Sequence, residues 1–339
     1  DGATAHPARS DDQVRVGSGG EHRGEVFGLV GTISIHLHDG VIAPIDRPLE
    51  AVEVGRAQTG LARSVQDVDL LVFDIQDVGV RFYTYTGTLH YVMEACAELG
   101  KPLMVFDRPN PNGFYVDGPV LDTAHRSFVG MHPVPLVHGM TIGEYAGMIN
   151  GEGWLKGGVR CDLTVIPCIG YDHAVFYELP VRPSPNLPNM AAVYLYPSLG
   201  LFEGTIVSVG RGTDRPFQCI GYPGAGLGGF TFTPRSVPGA KDPPYKDKLC
   251  TGMDLAEYGR FFTRLEPQLH LHWLIGFHQA CADRATFFTA FFDKLAGGTA
   301  LRTAIQAGQD EAHIRASWKP GLDAFKRIRA KYLLYDDRP

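Results

Sequence analysis

A chain of 339 residues, 44% of them hydrophobic, has the material for one large core or two ordinary ones, and two is the expectation. Its net charge of -6 and isoelectric point near 6.1 supply no basic field for a polynucleotide, so no nucleic-acid partner is expected. No apolar run reaches the roughly 20 residues of a membrane span, and the polar first residues lack the blocks of an export signal, which is expected to have been removed or not included.

The opening third is compositionally odd: Phe27 is the one aromatic up to Val72, and the first lysine is Lys101. Two readings of residues 1 to about 60 stand side by side. One is a Gly/Val/Arg-rich surface segment, the other a stretch that is truncated, diverged or translated from a shifted frame. From Asp67 the pattern becomes regular. Leu70, Leu71, Val72, Phe73 and Ile75 predict a strand over Asp69–Ile75, apolar enough to be covered on both faces. Tyr85–Leu99 follows as a helix, with Leu89, Val92, Met93 and Ala97 at helical spacing and Gly100 as its stop. The segment KPLMVFDRPNP supplies a second strand, Pro102–Phe106. Strand, helix and strand in such close succession form a right-handed parallel βαβ unit, whose ligands bind at the carboxyl ends of the strands.

That placement gives the charged residues a common address. Asp74 and Asp77 end one strand; Asp107, Arg108 and Asn110 end the next. Each aspartate alone has a plain alternative as a helix cap, but two consecutive strands delivering charge to one rim point to a site. Arg81 and Tyr83 follow directly.

In HGMTIGEYAGMIN, Thr141 and Glu144 form a capping box, which gives Glu144 a structural role. A second region follows Trp154, with a strand in LTVIPC, loops RPSPNLPN and LFEGTIVSVGRGTDRPFQ, and a helical tail in FFTAFFDKLAGGTALRTAIQAG and IRASWKPGLDAFKRIRAKYLLY. The chain therefore divides into residues 1–155 and 156–339. The second loop brings Glu203, Arg211, Thr213 and Arg215 together. It is no phosphate loop, since GxxxxGK[ST] and GxGxxG are both absent, which disfavours a nucleotide-using enzyme. Two arginines beside a carboxylate suit an acidic substrate or, equally simply, loop carbonyls. Ser184 sits in no GxSxG elbow. Carboxylates, aromatics, Asn and Arg around one cleft are the ingredients of glycoside chemistry. The cysteines, Cys96, Cys161, Cys168, Cys219, Cys250 and Cys281, form no CxxC pair, so no metal is expected; disulfide pairing stays open if the protein works outside the cytosol.

The segments LLVFDIQDVGVRFYTYTGTL, DRPNPNG, DGPVLD, SFVGMHPVPLVHGMTIGE, PSPNLPN, EGTIVSVGRGTDRPFQ and FDKLAGGTALRTAIQAG, in this order from about Asp67 to the C-terminus, closely resemble the bacterial exo-β-N-acetylmuramidase family. The resemblance implies an α/β fold, a Rossmann-like parallel-sheet catalytic domain followed by a smaller α+β auxiliary domain, with the cleft between them. It implies an exo-acting glycoside hydrolase that releases N-acetylmuramic acid from peptidoglycan fragments, extracytoplasmic and without a cofactor. The likeness lapses at the N-terminus. The family's opening strand has no counterpart, and its Pro-Glu-His-Gly motif is met only by Glu21 and His22 in GGEHRGEVFG.

The expected catalytic set is Glu21, Asp74, Asp77 and Asp107. The expected substrate contacts are His22, Arg81, Tyr83, Arg108, Asn110, Asn186, Glu203, Arg211 and Arg215, with Arg81, Arg211 or Arg215 on the lactyl carboxylate of a muramic-acid-containing saccharide. The alternative is a non-catalytic muramyl-binding protein of the cell wall.

Overall fold

The computed structural model describes residues 68–337, Gln66, and the backbone of two earlier strands. A five-stranded sheet runs in the order β2-β1-β3-β4-β5, from strands β1 (Thr32–His36), β2 (Ile42–Pro44), β3 (Leu70–Asp74), β4 (Leu103–Phe106) and β5 (Leu163–Ile166). β3, β4 and β5 are parallel, whereas β1 is antiparallel to both β2 and β3.

Two expectations are corrected by this sheet. The segment before residue 60 was expected to lack a first strand, yet β1 occupies the place beside β3. LTVIPC was assigned to the second region, but it pairs with β4 in register Leu103↔Leu163 to Phe106↔Ile166 and so completes the first sheet. A sheet edge is satisfied by whichever strand reaches it, and nothing local in four residues announces the partner. β3 also alternates rather than being covered on both faces. Leu71 and Phe73 are fully buried, while Leu70, Val72 and Asp74 are half-buried.

Helix α1 (Tyr85–Leu99) connects β3 to β4, and Gly100 ends it in the left-handed region, its neighbour Lys101 donating back to Cys96 O at 2.9 Å. Helix α2 (Ile142–Gly151) lies between β4 and β5 and opens with the capping box, Thr141 N donating to Glu144 Oε2 at 2.9 Å. Leu71, Phe73, Leu89, Val92, Met93, Leu103, Val105, Tyr145 and Ile149 form the core of this half.

The second half is mostly helical: α3 (Met190–Leu199), α4 (Ala256–Phe261), α5 (Leu271–Ala280), α6 (Phe292–Ala296), α7 (Ala300–Gln306) and α8 (Glu311–Arg329). A small antiparallel sheet, in the order β6-β8-β7, joins β6 (Cys219–Tyr222), β7 (Phe230–Phe232) and β8 (Cys250–Asp254). A second core gathers Phe202, Phe217, Phe277, Phe287 and Phe292, and it takes in Val78, Val80 and Phe82 from the chain just after β3. Tyr83 packs against both cores. So does α8, with Ile314 and Trp318 in one and Phe325 in the other. The region after β3 is therefore the seam of the molecule. All six cysteines are free thiols. No helix among the described residues is long and apolar enough to cross a membrane.

Candidate active site

The seam starts where β3 ends. Asp74 is half-exposed and accepts from Arg108 Nε at 2.7 Å, while the Arg108 backbone N–H donates to Asp107 Oδ1 at 2.9 Å. The two strand ends thus meet at one rim, as their parallel pairing requires.

Three residues on, the chain turns inward. Asp77 is 4% exposed. Its Oδ2 accepts from Gly79 N at 2.6 Å, and Oδ1 has no protein donor. Gly79 holds φ +77°, and a Cβ there would collide with the Asn110 amide, so the turn that presents Asp77 needs glycine. Burial raises the Asp77 carboxyl to about 7, against the pull of the Gly79 and Val78 N–H groups. His138 Nε2 lies 3.9 Å from Asp77 Oδ2. His138 Nδ1 accepts from Met140 N at 3.2 Å, and burial lowers its pKa to about 3. The ring is therefore neutral and turns its Nε2 proton towards Asp77. The approach is made by the isolated bridge Val80↔Val137, which lays residues 137–138 beside the Asp77 turn.

Across the seam stand Tyr83 and Tyr196, ring centroids 5.8 Å apart and edge to face. Tyr83 OH donates to Pro183 O at 2.7 Å. Burial raises the Tyr196 phenol, and Glu203 and then Asp77 raise it further while Arg211 opposes them. Tyr196 therefore feels Asp77 from one half and the Glu203–Arg211 pair from the other. That pair closes at 2.7 Å from Arg211 Nε to Glu203 Oε1, with the guanidinium 4.9 Å above the Phe217 ring.

Several expected site residues have other work. Arg81 is 1% exposed, and its guanidinium donates to Pro119 O, Val134 O and Leu295 O at 2.8, 2.8 and 3.0 Å. It cannot reach a ligand carboxylate and is an internal tie. Asp107 accepts four bonds, from Thr141 Oγ1, Gly143 N, Arg108 N and Tyr335 OH, and so caps α2 and holds the C-terminal segment. Asn110 is buried, with Nδ2 donating to Met140 O and Oδ1 accepting from Asn112 N. Asn186 donates to Gly239 O at 3.0 Å. Arg215 pairs with Asp254 on the small sheet and lies over Phe230. Glu21 and His22 lie outside the described residues.

Asp74 with Arg108, and Asp77 with Tyr83, Tyr196, Glu203 and Arg211, remain as the groups the fold gathers along the seam. Sequence reasoning missed His138, and it read Tyr196 only as one of several tyrosines that could flank a sugar ring or serve the core. For His138 the signal was a histidine just ahead of a capped helix, which carries no pairing information. No group of three or more His, Cys, Asp or Glu side chains suited to a metal ion occurs among the described residues.

Comparison with known proteins gives a consistent picture. Residues 54–191 match the family described as exo-beta-N-acetylmuramidase NamZ, N-terminal, and residues 194–335 the corresponding C-terminal family. The peptidoglycan beta-N-acetylmuramidase NamZ of Bacillus subtilis (strain 168) is 39% identical over 300 residues, covering 83% of this chain and 71% of that protein. Two crystal structures of DUF1343 family proteins from Bacteroides fragilis NCTC 9343 are similar in fold. One is 48% identical with a TM-score of 0.79, covering 81% of this chain and 78% of its own. The other is 27% identical with a TM-score of 0.63, covering 81% and 77%.

Proposed function

Because the chain belongs to the exo-β-N-acetylmuramidase family, we propose that it releases N-acetylmuramic acid from the non-reducing ends of peptidoglycan fragments, with Asp77 as the proton donor. The single observation that carries the residue assignment is the Asp77 carboxyl, raised to about 7 by burial at the end of a parallel strand. A glycosidase acid must keep its proton near neutral pH and yield it to the leaving oxygen as the bond breaks. Neutral His138 supports this, because an imidazolium 3.9 Å away would drive the proton off.

Asp74 and Arg108, paired and open to solvent at the rim, would meet sugar hydroxyls. Arg211 would hold the lactyl carboxylate, with Glu203 fixing the guanidinium plane. Tyr83 and Tyr196 would support the oxocarbenium-like transition state from the apolar side. The three parallel strands with α1 and α2 are read as the Rossmann-like catalytic half, and the helices with the small antiparallel sheet as the auxiliary half. A cell-wall substrate supports reading the activity as extracytoplasmic.

The test is incubation with an N-acetylmuramyl-glucosamine disaccharide and detection of free N-acetylmuramic acid. Release supports the hydrolase. Binding without release would favour the non-catalytic muramyl-binding protein.

A further inference from the structure

The amino ends of β4 and β5, opposite the rim that carries Asp74 and Arg108, bring together two cysteines that the reaction does not use. Cys96 lies in the last turn of α1, on the stripe that buries Leu89, Val92 and Met93. Cys161 lies just ahead of β5, in step with Leu163 and Val165, which pack on the same core. Two backbone bonds join these ends. Lys101 N donates to Cys96 O at 2.9 Å just before β4, and Leu103 N donates to Asp162 O at 2.8 Å just before β5. Asn150, near the end of α2, clamps the Cys161 backbone from both sides: its Nδ2 donates to Cys161 O and its Oδ1 accepts from Cys161 N, both at 2.9 Å. Cys96 is 0% and Cys161 5% exposed, within one core. A hydrogen bond with the Cys161 thiol, and then burial, holds the Cys96 thiol well above its usual pKa.

We propose that Cys96 and Cys161 form a disulfide when this chain folds in an oxidising compartment, tying the end of α1 to the start of β5 at the end of the sheet away from the site. Only the compartment is taken from the functional reading above. The oxidant is a disulfide, either a small one such as oxidised glutathione or one carried by a protein. One cysteine thiolate attacks it, forming a mixed disulfide and releasing one thiol; the second cysteine thiolate then attacks the mixed disulfide, closing the bond and releasing the other. Two electrons and two protons pass from the pair to the two thiols released. A buried, protonated thiol is a poor nucleophile, so the exchange belongs to folding, before the core closes over the pair. Cys219 and Cys250 also share a small core, but there β6 pairs with β8 so that Cys219 faces Asp254, at the other end of β8 from Cys250. The Cys96–Cys161 bond would close a loop of about 65 residues, long enough to remove much of the unfolded chain's freedom.

The test refolds the full chain from reducing denaturant in a mixture of reduced and oxidised glutathione, alkylates it in denaturant without reduction, and digests it for mass spectrometry. The Cys96 and Cys161 peptides are expected as one linked species that a reductant separates, with Cys168, Cys219, Cys250 and Cys281 alkylated. The linked wild type is expected to melt about 5 to 10 °C above the same chain refolded with reductant. Cys96→Ala and Cys161→Ala should each lack the link and melt alike after either refolding. Separate alkylation of Cys96 and Cys161 overturns the proposal. So does a link that brings no gain in melting temperature, because a bond the native fold does not already accommodate stores its gain as strain. Release of N-acetylmuramic acid is assayed on the same samples, and its absence overturns the functional reading while the bond is still read from the peptides.

Discussion

A carboxyl as buried as Asp77 keeps its proton only while ionisation costs more than the neighbouring N–H groups return, and this gives the residue two separable signatures. In catalysis, Asp77→Asn should lower kcat by about a hundredfold or more with a small change in KM, since the proton is used in the transition state. Wild-type kcat should fall as pH rises through about 7, where the carboxyl ionises. In stability the sign is opposite. The unfolded carboxyl ionises near 3.8 and the folded one near 7, so wild type loses stability between those values and no further above them. Asparagine carries no such penalty. The melting temperature of Asp77→Asn relative to wild type should therefore rise between about pH 4 and pH 8; a constant difference would make Asp77 a turn residue only. For Arg211, Gln should weaken muramide binding by about 1.5 to 3 kcal/mol and binding of a glucosamine analogue much less. Equal losses would return Arg211 to a loop-bracing role with Glu203 and Phe217. Asp74 and Asp77 are legible in sequence because they interrupt an apolar run. Arg81 misleads for the same reason, since a guanidinium among apolar residues reads as a ligand contact until three carbonyls are found around it.

Elements with local signals are the ones the sequence discloses. α1 shows its end in Gly100, and α2 its start in Thr141 and Glu144, because capping is written within four residues. β5 is legible as the strand in LTVIPC but its partner is not, and β6 and β7 have no such marks. They are three or four residues long, and their partners lie far along the chain, so their sheets are set by tertiary pairing. A buried polar chain between α1 and α2 is equally invisible. Glu94 Oε1 accepts from His90 Nε2 at 3.1 Å, His90 Nδ1 accepts from His132 Nε2 at 2.9 Å, and His132 Nδ1 accepts from Tyr145 OH at 3.1 Å. With Glu94 Oε1 as the acceptor at the end of the chain, both histidines donate through Nε2, and burial, with His90 and Arg126, holds His132 well below its usual pKa. The neutral His132 contributes stability in full above the unfolded value of about 6.5, and that contribution is lost as pH falls. His132→Leu leaves His90 and Tyr145 without their partner. It should cost about 2 to 4 kcal/mol in urea unfolding at pH 7.5, and visibly less at pH 5. A cost independent of pH would show that packing on Trp154, 5.0 Å away and stacked, is what His132 supplies.

At the scale of the whole molecule, Arg81 is a concentrated tie between the two cores. It sits among residues of the second core, Val80 and Phe82, and its guanidinium bonds Val134 O of the first core and Leu295 O of the second. Other ties among the described residues include Tyr83, which packs on both, the stretch that runs from Val134 of the first core through Leu136 and Val137 of the second back to Met140 of the first, and α8, which runs from Ile314 in one core to Phe325 in the other and is anchored by Arg315 on Asp117 and Arg329 on Gly139 O. An active cleft on a seam needs its two walls held at fixed separation, because a misplacement of about 1 Å is enough to lose much of the rate. With these ties in place the wild-type chain should unfold in one calorimetric transition. Arg81→Met strips two buried carbonyls and one partly buried carbonyl of their donor. Relief of the desolvation that lowers the Arg81 pKa to about 10 offsets part of this, leaving a net loss of about 2 to 4 kcal/mol. The loss falls on the junction rather than on either core, so the variant's single transition should split in two and kcat should drop although Arg81 touches no substrate. Arg302→Met, which breaks a surface pair with Asp293 at 2.8 Å, is the control and should change stability by less than about 1 kcal/mol. If Arg81→Met unfolds in one transition at the wild-type midpoint, the remaining ties carry the junction, and the buried guanidinium serves only to satisfy the carbonyls around it.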